Sequence, residues 1–195
     1  MNVFSVLEGA KPVILAQPHG GTYVPQELLT RFNDRGKELV DTDWHINKLY
    51  AALLGDTTVV QSHIHRYVID ANRDPHDVSL YPGQNTTGLC PLSDFDGNPI
   101  YRQGKEPSND EIEYRRSMYH APYHAALSEQ IERLKRNTRR LLFLTAILFD
   151  QQFPSCLQAR YRTSTSAPMM AAPAARKFKA VLRKYVLMQK VILIL

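Results

Sequence analysis

Cysteine is scarce in this chain: Cys90 and Cys156 are the only two among 195 residues. Two cysteines without a C-x-x-C spacing make neither a disulfide framework nor a thiolate zinc cluster, and they suit a reducing compartment. Long hydrophobic runs are lacking too. The terminal Val191–Leu195 is far short of the roughly 20 apolar residues that span a bilayer. The first residues hold no basic stretch followed by an apolar one, so no secretory leader is expected and the chain reads as cytoplasmic. Acidic residues are missing from one region only: residues 151–195 carry eight Lys and Arg and no Asp or Glu. The net charge of +5 therefore belongs to the last quarter, because residues 1–150 hold 16 basic and 19 acidic side chains, a net of −3. A positive charge of that origin does not make a nucleic-acid-binding surface, and neither a nucleic-acid nor a membrane partner is expected.

What is present is ordinary globular composition, 44% hydrophobic and 22% charged, enough for one domain with a real core. The run Val13-Ile14-Leu15-Ala16-Gln17 ends abruptly in Pro18-His19-Gly20-Gly21, as a buried strand running into a turn does. The glycines remove bulk beside the imidazole, so backbone, substrate or a metal can approach it closely. In open α/β sheets ligands sit beyond the carboxyl ends of strands, where His19 would lie. Residues 25–32 predict a short helix closed by Asn33–Gly36. Asp43 predicts a helix cap, with Trp44, Leu49 and Leu53 as an apolar stripe. Thr57–Gln61 and Arg66–Ile69 read as strands, and residues 74–108 as a long irregular excursion of the kind that binds or covers a ligand. Ser108-Asn-Asp-Glu111 is a capping box for a long amphipathic helix from Ile112 to about Arg136, and Leu141–Leu148 is another buried strand. Strands alternating with helices predict an α/β sheet flanked by helices.

Three segments gather polar side chains suited to one cleft: His19, Asp43, and the stretch from His65 to Asp74. An imidazole and a carboxylate from separate loops suit a catalytic zinc site, which uses three N/O ligands and a water. Arg73 offers a planar fork for a substrate carboxylate, with Asn72 beside it. Each also has a plain reading: Asp43 as a cap, Asp70 and Arg73 as a structural pair, Arg66 as a strand-face charge. His120 and His124 stand at i and i+4, a zinc-compatible spacing, but Ala121 takes the place of a catalytic Glu and Pro122 interrupts the turn. Packing or substrate contact is expected of them instead, and His63 and His65 are expected to face solvent.

Pro18-His19-Gly20-Gly21, Asp41-Thr-Asp43-Trp-His-Ile, Arg66-Tyr-Val-Ile-Asp70-Ala-Asn72-Arg73, Asp94-Phe-Asp-Gly-Asn-Pro-Ile-Tyr101, Arg115 and Tyr119-His-Ala-Pro-Tyr-His124 resemble, in order and spacing, the N-formylglutamate amidohydrolase (deformylase) family. The resemblance covers about residues 3–150. It implies a three-layer α/β/α fold with a mixed sheet, like that of zinc-dependent exopeptidases, and hydrolysis of N-formyl-L-glutamate to formate and L-glutamate in histidine degradation. It implies His19 and Asp43 as metal ligands, a Zn2+ or similar divalent cofactor, and a small-molecule substrate held by Asn72, Arg73, Arg66 and His124. The rival readings are a zinc amidohydrolase for another N-acyl amino acid, and a non-catalytic protein binding through its basic tail.

The chain departs from that pattern after Asp150. Gln152 stands where the family's third ligand, a histidine, is expected, and an amide is a poor substitute on zinc. The later Asn-Gly-Arg-Phe segment and catalytic glutamate are missing, so the catalytic carboxylate has no candidate here. Read one base out of frame with permitted synonymous codons, Leu157–Ala171 can spell a stretch resembling the family's next segment. Leu187–Leu195 can spell the lead-in to Asn-Gly-Arg-Phe. The expectation is a truncated amidohydrolase-like domain over 1–150, a poorly ordered, out-of-frame basic tail over 151–195 ending in a helix, weak zinc binding and impaired turnover.

Overall fold

A computed structural model describes residues 2–51, 55–77, 87–150 and 185–194, with backbone alone for 148–150 and 185–194. The chain divides into two compact units, Met1–Ala146 with Gln189–Leu195, and Ile147–Met188. In the second unit the described residues are strand ends, 147–150 and 185–188. Every candidate site residue that the structure describes belongs to the first.

The strands are β1 (Phe4–Leu7), β2 (Val13–Gln17), β3 (Thr58–Ser62), β4 (Leu141–Asp150) and β5 (Tyr185–Ile194), in the order β1-β3-β2-β4-β5. β1 runs antiparallel to β3, whereas β3 and β4 both run parallel to β2. The sheet is thus mixed, as expected. After β2 the chain goes to β3 on one side, then returns to β4 on the other. That reversal makes the carboxyl end of β2 a topological switch point, the place where open α/β sheets bind ligands. His19 lies two residues past that end.

The helices are α1 (Gln26–Leu29), α2 (Asp34–Lys37), α3 (Ile46–Ala51), α4 (Asn109–Arg115) and α5 (Ala121–Lys135). α5 packs on β2 and β3, burying Tyr123, Ala126, Leu127 and Leu134 against Ile14, Ala16, Val60 and Leu141. Fully burying one such aliphatic side chain contributes about 1.5–3 kcal/mol, so this face anchors the sheet. A second cluster, built on Phe32, Tyr67, Val68, Leu89 and Ile100, packs the loops beyond the strand ends.

Several elements differ from expectation for identifiable reasons. Asn33 does not close α1; its side chain accepts the Gly36 N–H at 2.8 Å and so caps a new helix, α2. α3 starts at Ile46, three residues past Asp43, and buries Ile46 and Tyr50, while Trp44 is exposed rather than part of a buried stripe. Leu53 lies outside the described residues. The long helix is interrupted by a π turn, Arg116–His120, just before Pro122, which has no N–H to continue the i→i−4 ladder. Arg66–Ile69 is no strand but a turn with Val68 N–H on the His65 carbonyl, and His65 to Ala71 are all buried. A strand alternates between faces, and a segment buried on every side has no such pattern. The tail was expected to end in a helix, but Tyr185–Ile194 is strand β5, in keeping with its Val- and Ile-rich sequence, while the residue at 152 lies outside the described residues.

Candidate functional site

The Pro-His-Gly-Gly turn places the first functional side chain. Tyr23 bridges in parallel to Ile64, and its N–H donates to the His63 carbonyl at 3.0 Å. Gly21 lies so close to that segment that a Cβ would sit 2.3 Å from the His63 carbonyl carbon. Only glycine fits, and what approaches at Gly21 is backbone. The turn fixes His19, 2% exposed. The Asp43 N–H donates to the His19 carbonyl at 3.0 Å and ties the second loop to the first.

Asp70 is the hub of the cluster. Its Oδ1 lies 2.6 Å from His19 Nε2 and accepts the Asn72 N–H at 2.9 Å, while Oδ2 lies 3.5 Å from Arg66 Nη2 and 3.6 Å from Arg73 Nε. Burial by itself would raise its pKa. The neighbouring His19 and Arg66, with the hydrogen bonds from His19 and Asn72, outweigh it and hold the carboxyl well below the usual range. An ionised Asp70 takes the hydrogen on His19 Nε2, leaving the lone pair on Nδ1. Arg66 Nη2, 2.6 Å from Nδ1 and 2.8 Å from Nε2, can only donate, and the atom able to accept is Nδ1.

His19 Nδ1 is 3.7 Å from Asp43 Oδ2. That is long for a hydrogen bond and close to the roughly 3.4 Å between two ligands on one tetrahedral zinc. The carboxylate behind the ring is the usual partner of a metal-binding histidine. These two residues therefore fit a zinc ion, with Asp70 orienting the first. No third His, Cys, Asp or Glu completes a metal-binding group among the described residues. A metal and Arg66 Nη2 need the same lone pair, so loading requires Arg66 to turn aside.

Other expected residues fall around this centre. Arg73, partly exposed, and exposed Asn72 stand on the turn after Asp70, with Arg73 Nη2 3.4 Å from Thr87 Oγ1. His120 and His124 stack at 4.2 Å; His120 Nε2 donates to the Arg73 carbonyl at 3.0 Å and His124 Nε2 to the Ala71 carbonyl at 2.9 Å. They grip the backbone of the Asn72–Arg73 turn. Desolvation lowers both pKa values, which suits neutral rings. The Asp94-Phe-Asp-Gly turn roofs the cluster. Asp94 accepts from Arg35 and Asn98, Phe95 N–H donates to Asp41, and the Phe95 ring lies 4.6 Å from the Arg66 guanidinium carbon. Asp41 also accepts the Tyr67 hydroxyl at 2.9 Å.

Two residues escaped the sequence reading. Asp70 was expected to pair with Arg73, as it does at 3.6 Å, and it is also the carboxylate behind His19. His65 was expected in solvent and is fully buried. The signal for Asp70 was its place two residues before Asn72; nothing in the pattern marked His65. A surface groove of about 690 Å³, lined by Gly20, Gly21, Lys37, Gln61 and His63 among others, lies beside the turn and includes none of the clustered side chains.

This arrangement meets its relatives in the comparison with known proteins. Residues 11–180 match the N-formylglutamate amidohydrolase family. The chain belongs to this family. It is 35% identical over 186 residues to the N-formylglutamate deformylase of Pseudomonas aeruginosa, covering 92% of this chain and 69% of that protein. It is 32% identical over 179 residues to the N-formylglutamate deformylase of Pseudomonas putida, covering 87% and 66%. The crystal structure of N-formylglutamate amidohydrolase from Ralstonia eutropha superposes with a TM-score of 0.63 at 24% identity, over 87% of this chain and 64% of that one, which shows a shared fold. This family member thus spans about two thirds of the length of the relatives it matches. Its family match runs past Asp150 to residue 180, so the family likeness does not stop where the basic tail was expected to begin.

Proposed function

We propose that this chain is an amide hydrolase that converts N-formyl-L-glutamate and water to formate and L-glutamate. The water oxygen bonds to the formyl carbon, the C–N bond breaks, and the departing amine takes a proton. The observation that carries the reading is the buried His19–Asp43–Asp70 arrangement at the switch point, in a chain whose relatives are named N-formylglutamate deformylase. Asn72 and Arg73 take a glutamate carboxylate, and Arg66 sits at the reacting end beside His19. His120 and His124 hold the clamp from behind, which is how His124 contributes to substrate binding. His19 and Asp43 would hold Zn2+, which when bound polarises the formyl carbonyl and activates the water. The fuller fold is the three-layer α/β/α sandwich of zinc exopeptidases, and a cytoplasmic location suits the reaction; among the described residues no helix is long and apolar enough to cross a membrane.

With two ligands among the described residues, zinc binds weakly and turnover is slow. Gln152→His is expected to tighten zinc binding in a calorimetric titration; an unchanged affinity argues against a ligand place at that position. The reaction itself is tested by formate release from N-formyl-L-glutamate, N-acetyl-L-glutamate and N-formyl-L-leucine. Preference for the first supports the proposal. Preference for the acetyl compound indicates another acyl amino acid hydrolase, and salt-sensitive polyanion binding lost on deleting 151–195 indicates a tail-binding protein.

A further inference from the structure

His65 has no part in the chemistry so far, yet it is fully buried directly before Arg66. Its Nδ1 accepts the Tyr67 N–H at 3.1 Å, which places the ring hydrogen on Nε2. Desolvation, with the Arg66 charge acting the same way, lowers its pKa to about 3, so the ring is neutral and Nε2 is a donor. Among the described residues that N–H has no hydrogen-bond partner, and neither do Nε and Nη1 of Arg66, itself 4% exposed. Buried donors without acceptors are rare, and here three such nitrogens belong to two consecutive residues. Their surroundings locate them: Arg66 Nη2 touches His19 Nδ1, and the His65 ring is near enough to His19 and Asp70 for their charges to act on it.

We propose that His65 and Arg66 together bind a small anionic oxygen group, the formyl oxygen as charge develops on it and then the formate product. The proposal deepens the deformylase reading and rests on it for the choice of anion. A neutral imidazole N–H on the residue before a guanidinium suits this guest: the cation supplies charge, and the imidazole a directed donor that stays neutral. Arg66 and Arg73 flank the same Asp70 oxygen, so an acyl amino acid meets one set of donors at its carboxylate and the other at its formyl oxygen.

The test uses sodium formate and the metal-free, full-length protein, following the His65 ring nitrogens by NMR. Formate is expected to saturate the wild type and shift Nε2. His65→Gln, which retains an N–H near the same place, is expected to bind within about threefold of wild type, and His65→Phe about tenfold or more weakly. Equal affinity in His65→Phe and wild type, or an Nε2 signal unmoved by formate in the wild type, overturns the proposal, and the second readout needs no variant to fold. Formate binding without any hydrolysis of N-formyl-L-glutamate sinks the deformylase reading and leaves the anion site standing.

Discussion

β3 and the segment that follows it are adjacent in sequence and opposite in physics. Thr58–Ser62 alternates between buried and half-buried positions and contributes Val60 to the apolar layer under α5. His65 to Ala71 is buried throughout, carries two charged side chains and an imidazole, and has no regular structure. The first region is held by area removed from water, which tolerates repacking. The second is held by directed bonds onto Asp70, whose two oxygens each serve two partners, while three buried nitrogens on His65 and Arg66 have no partner among the described residues. The layer is apolar throughout, whereas the following segment buries polar groups, which is costly unless each is paired.

The comparison breaks most sharply at Asp70. Asp70→Ala removes the carboxylate shared by His19, Arg66 and Arg73, breaking the buried ion pair with Arg66. It is expected to destabilise the fold by about 3–5 kcal/mol in chemical denaturation and to lower activity by about 100-fold. Ile14→Ala, in the apolar layer, is expected to cost about 2–5 kcal/mol with formate affinity and activity per folded molecule unchanged. Coupled losses in Ile14→Ala would show that the two regions are not separable.

Acid separates them more gently. Below about pH 6.5 the unfolded chain takes up a proton that folded His65 accepts only near pH 3, so stability falls with pH over that window, by up to about 1.4 kcal/mol per pH unit. His120 and His124 shift in the same direction. Asp70 adds to this lower down: its stabilisation is present above about pH 4 and is lost as pH falls further, through its depressed pKa. Melting temperatures from pH 7 to 4 are expected to fall less steeply in His65→Gln than in wild type, and parallel curves would count against a buried neutral His65.

The same contrast explains what the sequence made legible. β2, β3, β4 and the long helix were readable because each buries one face or one continuous run. The approach of His19 to Asp43, and of the Asn72–Arg73 turn to the same cluster, was readable through their motifs. The burial of His65 was not, because a loop enclosed on all sides leaves no periodicity, and the π turn depended on a single Pro122 inside an otherwise helical pattern. Asn33 looked like a helix stop and proved to be a helix start, since an amide that ends one helix can equally cap the next. Residues 151–184 lie outside the described residues, and codons across 148–156 decide their reading frame.

The most direct test is formate release from N-formyl-L-glutamate with zinc in excess, wild type beside His19→Ala. Slow, zinc-dependent release by the wild type that disappears in His19→Ala is the expected result. Release at equal rates in both, or none from the wild type, would contradict a hydrolytic site at the end of β2.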